Sequence, residues 1–272
     1  MRRVMLSAIV VAGGLWTVGC GGNKGSGSDS SSGAQSSGGA AGAPAGGGGG
    51  GGASGPTGTS TVSGVVHFTG AAPSNPKIDM SQESACAAKH TTPPTDPQFV
   101  VSGGKLGNVF VYVKSGIPAD AKYTAPEASV EIDQDGCLYR PRVFGAVVNQ
   151  KILIKNDDPV LHNIKAIPKE NRGFNISQPT AGMQTTRTFT TPEVMVPLEC
   201  NVHGWMHAWV GVLPHPFFAT SGPDGSFSIK NLPAGTYTIE AWHEKLGTQT
   251  STVTVGAGET KTADFTFSGP KA

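Results

Sequence analysis

The sequence predicts an all-β chain of two sandwiches behind a disordered tether, and three observations carry that reading. From Thr61 onward apolar and polar residues alternate over short runs, Gly and Pro punctuate those runs, and no apolar stripe of helical period persists for three turns. The composition describes two different materials: 17 of the 39 Gly fall between Gly21 and Ser60, leaving about 210 residues beyond them, enough for two small domains or one large one with a real core. A net charge of +1 with only 14% charged residues offers no basic surface able to neutralise several phosphates, which excludes a nucleic-acid partner.

The N-terminus has its own logic. Arg2 and Arg3 precede an apolar run from Val4 to Val18 that ends at Gly19-Cys20, the layout of a secretory signal. Fifteen residues are too few to span a bilayer, which takes about 20. The segment, residues 1–20, resembles a bacterial lipoprotein signal peptide, which implies lipidation of Cys20 and a membrane anchor through that lipid; cleavage without lipid is the alternative. Gly21 rather than Asp after the Cys favours outer-membrane sorting, so the expected location is the periplasm or cell surface. Residues 21–60 hold no aromatic, Ile, Leu or Val and two charges, so they cannot bury enough area to offset ordering entropy and read as a disordered linker.

Strands follow in order. Val109, Val111 and Val113 alternate with Phe110 and Tyr112, Phe227 and Ile229 with serines, and Ala263, Phe265 and Phe267 with Thr262, Asp264 and Thr266, each predicting a half-buried strand. Pro223-Asp224-Gly225 and Pro233-Ala234-Gly235 supply turns, because Pro presets the bend and Gly accepts positive φ. The stretch from Gly222 to Phe267, with VSGVVHFTGAAP at Val62–Pro73, resembles the carboxypeptidase regulatory-like (transthyretin-like) β-sandwich. That resemblance implies a sandwich made of 61–122 with 214–268, interrupted by an inserted domain at 123–213. A single sandwich elaborated by extra strands is the other arrangement the pattern allows.

The inserted stretch carries the chemistry. It contains LHN at Leu161–Asn163 and CNVHGWM at Cys200–Met206. Two imidazoles, a thiolate and a thioether form the ligand set of a blue-copper site, since soft sulfur favours Cu(I), imidazole suits both oxidation states and an axial Met tunes the potential. Strand parity strengthens the pattern. Val194, Val196, Leu198 and Cys200 share one parity, as do Met206, Ala208, Val210 and Val212, so both sulfurs are expected to point inward. Val160, His162, Ile164 and Ala166 bring His162 to the same apolar interior, where an unpaired imidazole is costly. His207 and Trp209 have the opposite parity.

These residues resemble the cupredoxin family, a Greek-key β-sandwich, with the Cys-x2-His-x2-Met spacing of its amicyanin-type short loop. The resemblance implies one type 1 copper held by His162, Cys200 and His203 with Met206 axial, and Asn163 bracing the ligand loop. Gly204 and Trp205 depart from the Pro that relatives often carry there, which would free a further backbone N–H to reach the thiolate. The pairing of this domain with a regulatory-like sandwich is similar to a bacterial group that joins the two, and CLYRPRV at Cys137–Val143 fits that group except that Arg142 stands where His is expected.

Competing chemistries find less support. Structural zinc sites seldom use thioether and usually hold more than one Cys, and no Cys-x-x-Cys-His exists for a c-type haem. Absence of His-x-His repeats argues against a second, catalytic copper, so an electron carrier rather than an enzyme is expected. His67, His90, His215 and His243 read as non-ligands. With Cys20 lipidated and Cys200 on copper, Cys86 and Cys137 remain as an even pair in an oxidising compartment, and a disulfide is expected. The partner class implied is a cytochrome or a dehydrogenase, meeting His203 at a solvent-facing edge with Trp205 as an exposed docking residue. A metal-free envelope adhesion or structural sandwich, and a copper storage or delivery protein, are the alternative functions.

Overall fold

Alternating short runs do become strands, in two sandwiches that share one chain. A computed structural model describes residues 52–269, so the signal peptide, Cys20 and most of the linker lie outside the described residues. The last residues of the expected linker are ordered against the fold: Ser54 bridges to Thr124, the Tyr123 hydroxyl donates to Pro56 O at 3.1 Å, and Gly58 N–H donates to Asn231 O at 2.9 Å. Their small side chains let the backbone itself make the contacts.

The first sandwich faces two layers, one mixed and one antiparallel. In one, the strand Ser60–Thr69 pairs with Ser226–Leu232 and with Lys105–Leu106, and in parallel with Thr260–Thr262 and Phe265–Ser268. In the other, the order is Phe218–Thr220, Phe110–Ser115, Gly235–His243, Gly247–Val255. Val62, Val66, Val111, Ile229, Ile239 and Phe267 meet between them. The second sandwich has a five-stranded sheet ordered Phe174–Gln178, His162–Ala166, Glu193–Glu199, His207–Leu213, Val143–Val147, and a four-stranded sheet ordered Met183–Arg187, Ile152–Asn156, Val130–Gln134, Tyr139–Arg140. Ile132, Ile154, Ile164, Val196, Leu198 and Val210 fill its core together with Cys200 and Met206.

Two expectations about this architecture are corrected. Residues 61–122 do not all serve the first sandwich: Ile78, Met80 and Cys86 are buried in the core of the second, tied there by the Cys86–Cys137 disulfide. The strand Phe110–Ser115 is not half-buried either, because Phe110 and Tyr112 on its outer face are covered as fully as Val111 and Val113. That outer face, with Phe218 beside it, meets the second sandwich through Val143, Val147 and Leu213. Gly145 and Gly211 are register partners in the second sandwich's sheet, and a Cβ on either would come closer than 3.0 Å to the Phe110 ring. Their missing side chains make the flat place on which that ring lies.

A buried ion triad closes the same joint. Arg142, the residue found in place of an expected His, donates from Nε and Nη2 to both oxygens of Glu244 and from Nη1 to Asp96. All three side chains are less than a tenth exposed. Removing one partner from such a group strands charge in low dielectric, at about 3–5 kcal/mol. Arg142→Met should therefore lose about that much stability in urea unfolding at neutral pH. A variant as stable as the parent at neutral pH would mean the triad holds nothing.

Candidate metal centre

Three strands and one loop assemble the site. His162 opens its strand, Cys200 follows Glu199 at the end of the next, and Met206 precedes His207 at the start of the third. Pairing of Glu199 with both Lys165 and His207 brings those strand ends to one end of the sheet. The intervening loop closes on its own backbone: Cys200 N–H donates to Met206 O at 3.2 Å and Met206 N–H to His203 O at 2.9 Å. Asn163 Oδ1 accepts the Asn201 N–H at 2.6 Å and lies 3.4 Å from Cys200 Sγ, while its amide donates to Asn175 Oδ1. One side chain thus spans the His162 strand and the loop.

The donor atoms converge. His162 Nδ1 and His203 Nδ1 are 2.9 Å apart, Cys200 Sγ is 3.9 Å from His203 Nδ1, and one donor atom from each of the three lies within 4.8 Å of the others. His162, His203 and Met206 are 0%, 2% and 0% exposed. Two ring nitrogens facing one another need a proton or a cation between them, so this set fits a metal that takes imidazole and sulfur. His162 Nε2 is held at 2.9 Å by Asp158 Oδ2, and the Asp158 carboxylate also accepts the backbone N–H groups of Gly136 and Cys137. This carboxylate fixes which imidazole nitrogen faces the site.

Charge in the site follows from those bonds. Burial pushes the Cys200 thiol up, but hydrogen bonds from His162 and His203 and from the backbone N–H groups of Asn163 and His203 outweigh it and bring it down to about 5. The sulfur is therefore a thiolate at neutral pH. Asp158 is likewise pushed up by burial and pulled down further by His162 and the two backbone N–H groups, to about 2. His162 moves up: burial opposes the cation, and Asp158 and Cys200 overcome it. Tyr139 stays a neutral phenol, buried beside the Cys200 thiolate, and donates to Asn163 O.

Several expected placements differ. His203 presents no edge to solvent, because Cys86 Sγ lies 3.9 Å from its Nε2 and the Trp205 ring lies 5.1 Å from its own. Trp205 is half-buried, its indole N–H donating to Cys137 O at 2.9 Å, so it packs over the loop instead of standing out. The backbone N–H that reaches the Cys200 sulfur, at 3.4 Å, belongs to His203 itself. Val194 is 40% exposed although parity placed it inward; a register shift between Glu193 and Val196, with Met195 at φ 64°, turns it out and buries Met195 in the joint between the sandwiches. His90, His215 and His243 make local bonds away from the site, and burial lowers both His215 and His243 to about 4. Asp158 was not singled out from the sequence; its only signal is a carboxylate four residues before His162, a spacing with no rule behind it outside a helix.

The C-terminal strands of the first sandwich match a family model. Residues 213–268 match the carboxypeptidase regulatory-like domain. The strands Gly235–His243 and Gly247–Val255 fall inside that match, and the candidate donors all precede it. No curated protein matches the chain. Among solved structures, a purple cupredoxin from Nitrosopumilus maritimus is similar at 23% identity over 30% of this chain and 98% of its own, with a TM-score of 0.27. A mutant of amicyanin in its Cu(I) state is 15% identical over 39% of this chain and 98% of its own, with a TM-score of 0.28. A copper-containing nitrite reductase from Thermus scotoductus SA-01 is 20% identical over 36% of this chain, with a TM-score of 0.28; this chain spans a quarter of that enzyme's length.

The depressed thiol gives a direct check. Thiolate ultraviolet absorbance of the metal-free protein, corrected with Cys200→Ser, should titrate with a midpoint near 5. A midpoint near the ordinary value of 9 would contradict the hydrogen-bond arrangement around the sulfur.

Proposed function

We propose that this chain is a type 1 copper electron carrier of the cell envelope. The observation that supports it best is the buried convergence of His162 Nδ1, His203 Nδ1 and the Cys200 thiolate, with Met206 fully enclosed beside them. Copper bound there would cycle between Cu(I) and Cu(II) and supply one-electron transfer. The protein's own part is to hold the donors: Asp158 orients His162, Asn163 ties the Cys200–Met206 loop to the neighbouring strand, and the enclosing core resists rearrangement when charge changes. A catalytic metal keeps an open position for substrate. Cys86 and Trp205 cover this one, which favours a carrier over an enzyme.

The location and the partner are part of the same proposal. The Cys86–Cys137 disulfide suits an oxidising compartment, in keeping with a lipid anchor at Cys20 and a place in the periplasm or at the cell surface. A redox partner of the cytochrome or dehydrogenase class would meet the protein at Leu161 and Val202, which precede His162 and His203 in sequence and are 44% and 45% exposed. Exposed apolar residues of this kind suit the small interfaces of transient redox complexes.

Adding Cu(II) to the purified protein tests the reading. An intense visible thiolate-to-copper band at one equivalent is expected; a colourless complex, or none, would leave a metal-free sandwich. Cys200→Ser should abolish the band with the fold intact, and Met206→Leu should keep it and raise the potential by removing axial donation. Asp158→Asn should also keep the band and raise the potential, because a neutral amide makes His162 a poorer donor to Cu(II). An unchanged potential in Asp158→Asn would remove that residue from the electronics of the site.

A further inference from the structure

The imidazole of His203 has two nitrogens, and the proposed copper centre accounts for one. Its Nδ1 faces His162 and Cys200; its Nε2 points the other way, at 3.9 Å from Cys86 Sγ. With the ring 2% exposed, the hydrogen-bond contact of this nitrogen is a disulfide sulfur, a weak partner for a buried polar atom. The disulfide is itself enclosed, with Cys86 at 0% and Cys137 at 1% exposure. Donor atoms of Glu83, Cys86 and His203 lie within 4.8 Å of one another, as do those of Cys137, Asp158 and His162. Two groups of potential ligands therefore share their sulfurs with one cross-link and their imidazoles with the copper centre.

We propose that the Cys86–Cys137 pair is a redox-gated second site for a soft d10 cation, Cu(I), formed when the disulfide is reduced and sharing His203 with the first centre; the proposal rests on the reading of that first centre. As a disulfide, the sulfurs are poor donors, so the second site is closed. Reduction breaks the S–S bond with two electrons and two protons and gives two thiols. A thiol or phosphine reductant supplies the electrons and is oxidised to a disulfide or a phosphine oxide. Uptake of Cu(I) then displaces three protons to solvent, one from each thiol and, because Nδ1 serves the first centre, the one on His203 Nε2, giving two thiolates and an imidazolate nitrogen as donors, a sulfur-rich set that selects Cu(I). Lys89, 3.4 Å from Asp158, offsets part of the added negative charge.

The covering segment suits such a gate. Cys86 sits in a four-residue helix, Ser84–Ala87, in which it is the one buried residue, and its flanking residues Ser84, Ala87 and Ala88 are exposed. A single exposed turn is a thin cover, and cutting the cross-link releases it without disturbing a sheet. The consequence is a protein that carries one copper under oxidising conditions and captures a second when thiol reductants are present.

The test uses the full chain in two forms, oxidised as purified and reduced with a phosphine that is then removed anaerobically by gel filtration. Each form is titrated with Cu(I) against a chromophoric Cu(I) chelator. One tightly held equivalent is expected in the oxidised protein and two in the reduced protein, with the near-ultraviolet dichroism of the fold retained. Reoxidation should return one equivalent to the chelator. The double variant Cys86→Ser, Cys137→Ser should hold one equivalent after either treatment. Equal stoichiometry in both forms of the parent would overturn the proposal, as would a second equivalent that persists in the double variant or appears only with loss of the dichroism. Because the gain on reduction decides, an oxidised protein that binds no copper would refute the first centre alone, and the two readings remain distinguishable.

Discussion

Two imidazoles and a thiolate buried in one apolar core are costly unless each polar atom finds a partner, and the second sandwich is arranged around meeting that demand. Asp158 takes His162 Nε2, the His203 backbone N–H donates to the Cys200 sulfur, and Asn163 Oδ1 accepts the Asn201 N–H. At the centre, His162 Nδ1 and His203 Nδ1 face one another 2.9 Å apart beside the Cys200 sulfur. One proton between those nitrogens satisfies both, and the proposed copper would take its place. The same bonds that pull the thiol to about 5 also fix the rings, so the donors are held in place by their surroundings and not by a metal.

The first sandwich is joined to this core too closely to act as a loose appendage. Phe110 and Phe218 press on Gly145 and Gly211, and Arg142 reaches Glu244 across the joint while also holding Asp96. Asp96 lies in the stretch that carries Ile78, Met80 and Cys86 into the second core, so the joint, the stretch and the disulfide form one continuous connection from the first sandwich to the cover over His203. The structure gives the sequence's odd residue, Arg142, a job unrelated to metal: it neutralises two buried carboxylates from different parts of the chain.

Legibility from sequence tracked the range of the physical signal. Period-two alternation is local, so Val196, Leu198 and Cys200, and likewise Ala208, Val210 and Val212, were read on the inward face and are buried there. Val194 failed because a bulge shifts parity by one, and nothing in Val-Met-Val announces it. Phe110 and Tyr112 alternate like any half-buried strand; their covering depends on a second sandwich that no single strand encodes. Cysteine arithmetic found the cross-link, yet its position against His203 is a matter of tertiary placement between residues 117 apart. For the same reason Trp205 read as a display residue and is instead a cover, satisfied by Cys137 O.

The central claim is that the donors are pre-arranged and belong to one closed centre. X-ray absorption at the copper edge, on protein loaded with one equivalent and measured in both oxidation states, tests it most directly. The account predicts one thiolate sulfur and two imidazole nitrogens around copper in Cu(II) and Cu(I) alike, with little change in distances between them. A first shell rich in oxygen, loss of the thiolate, or a large rearrangement on reduction would contradict it.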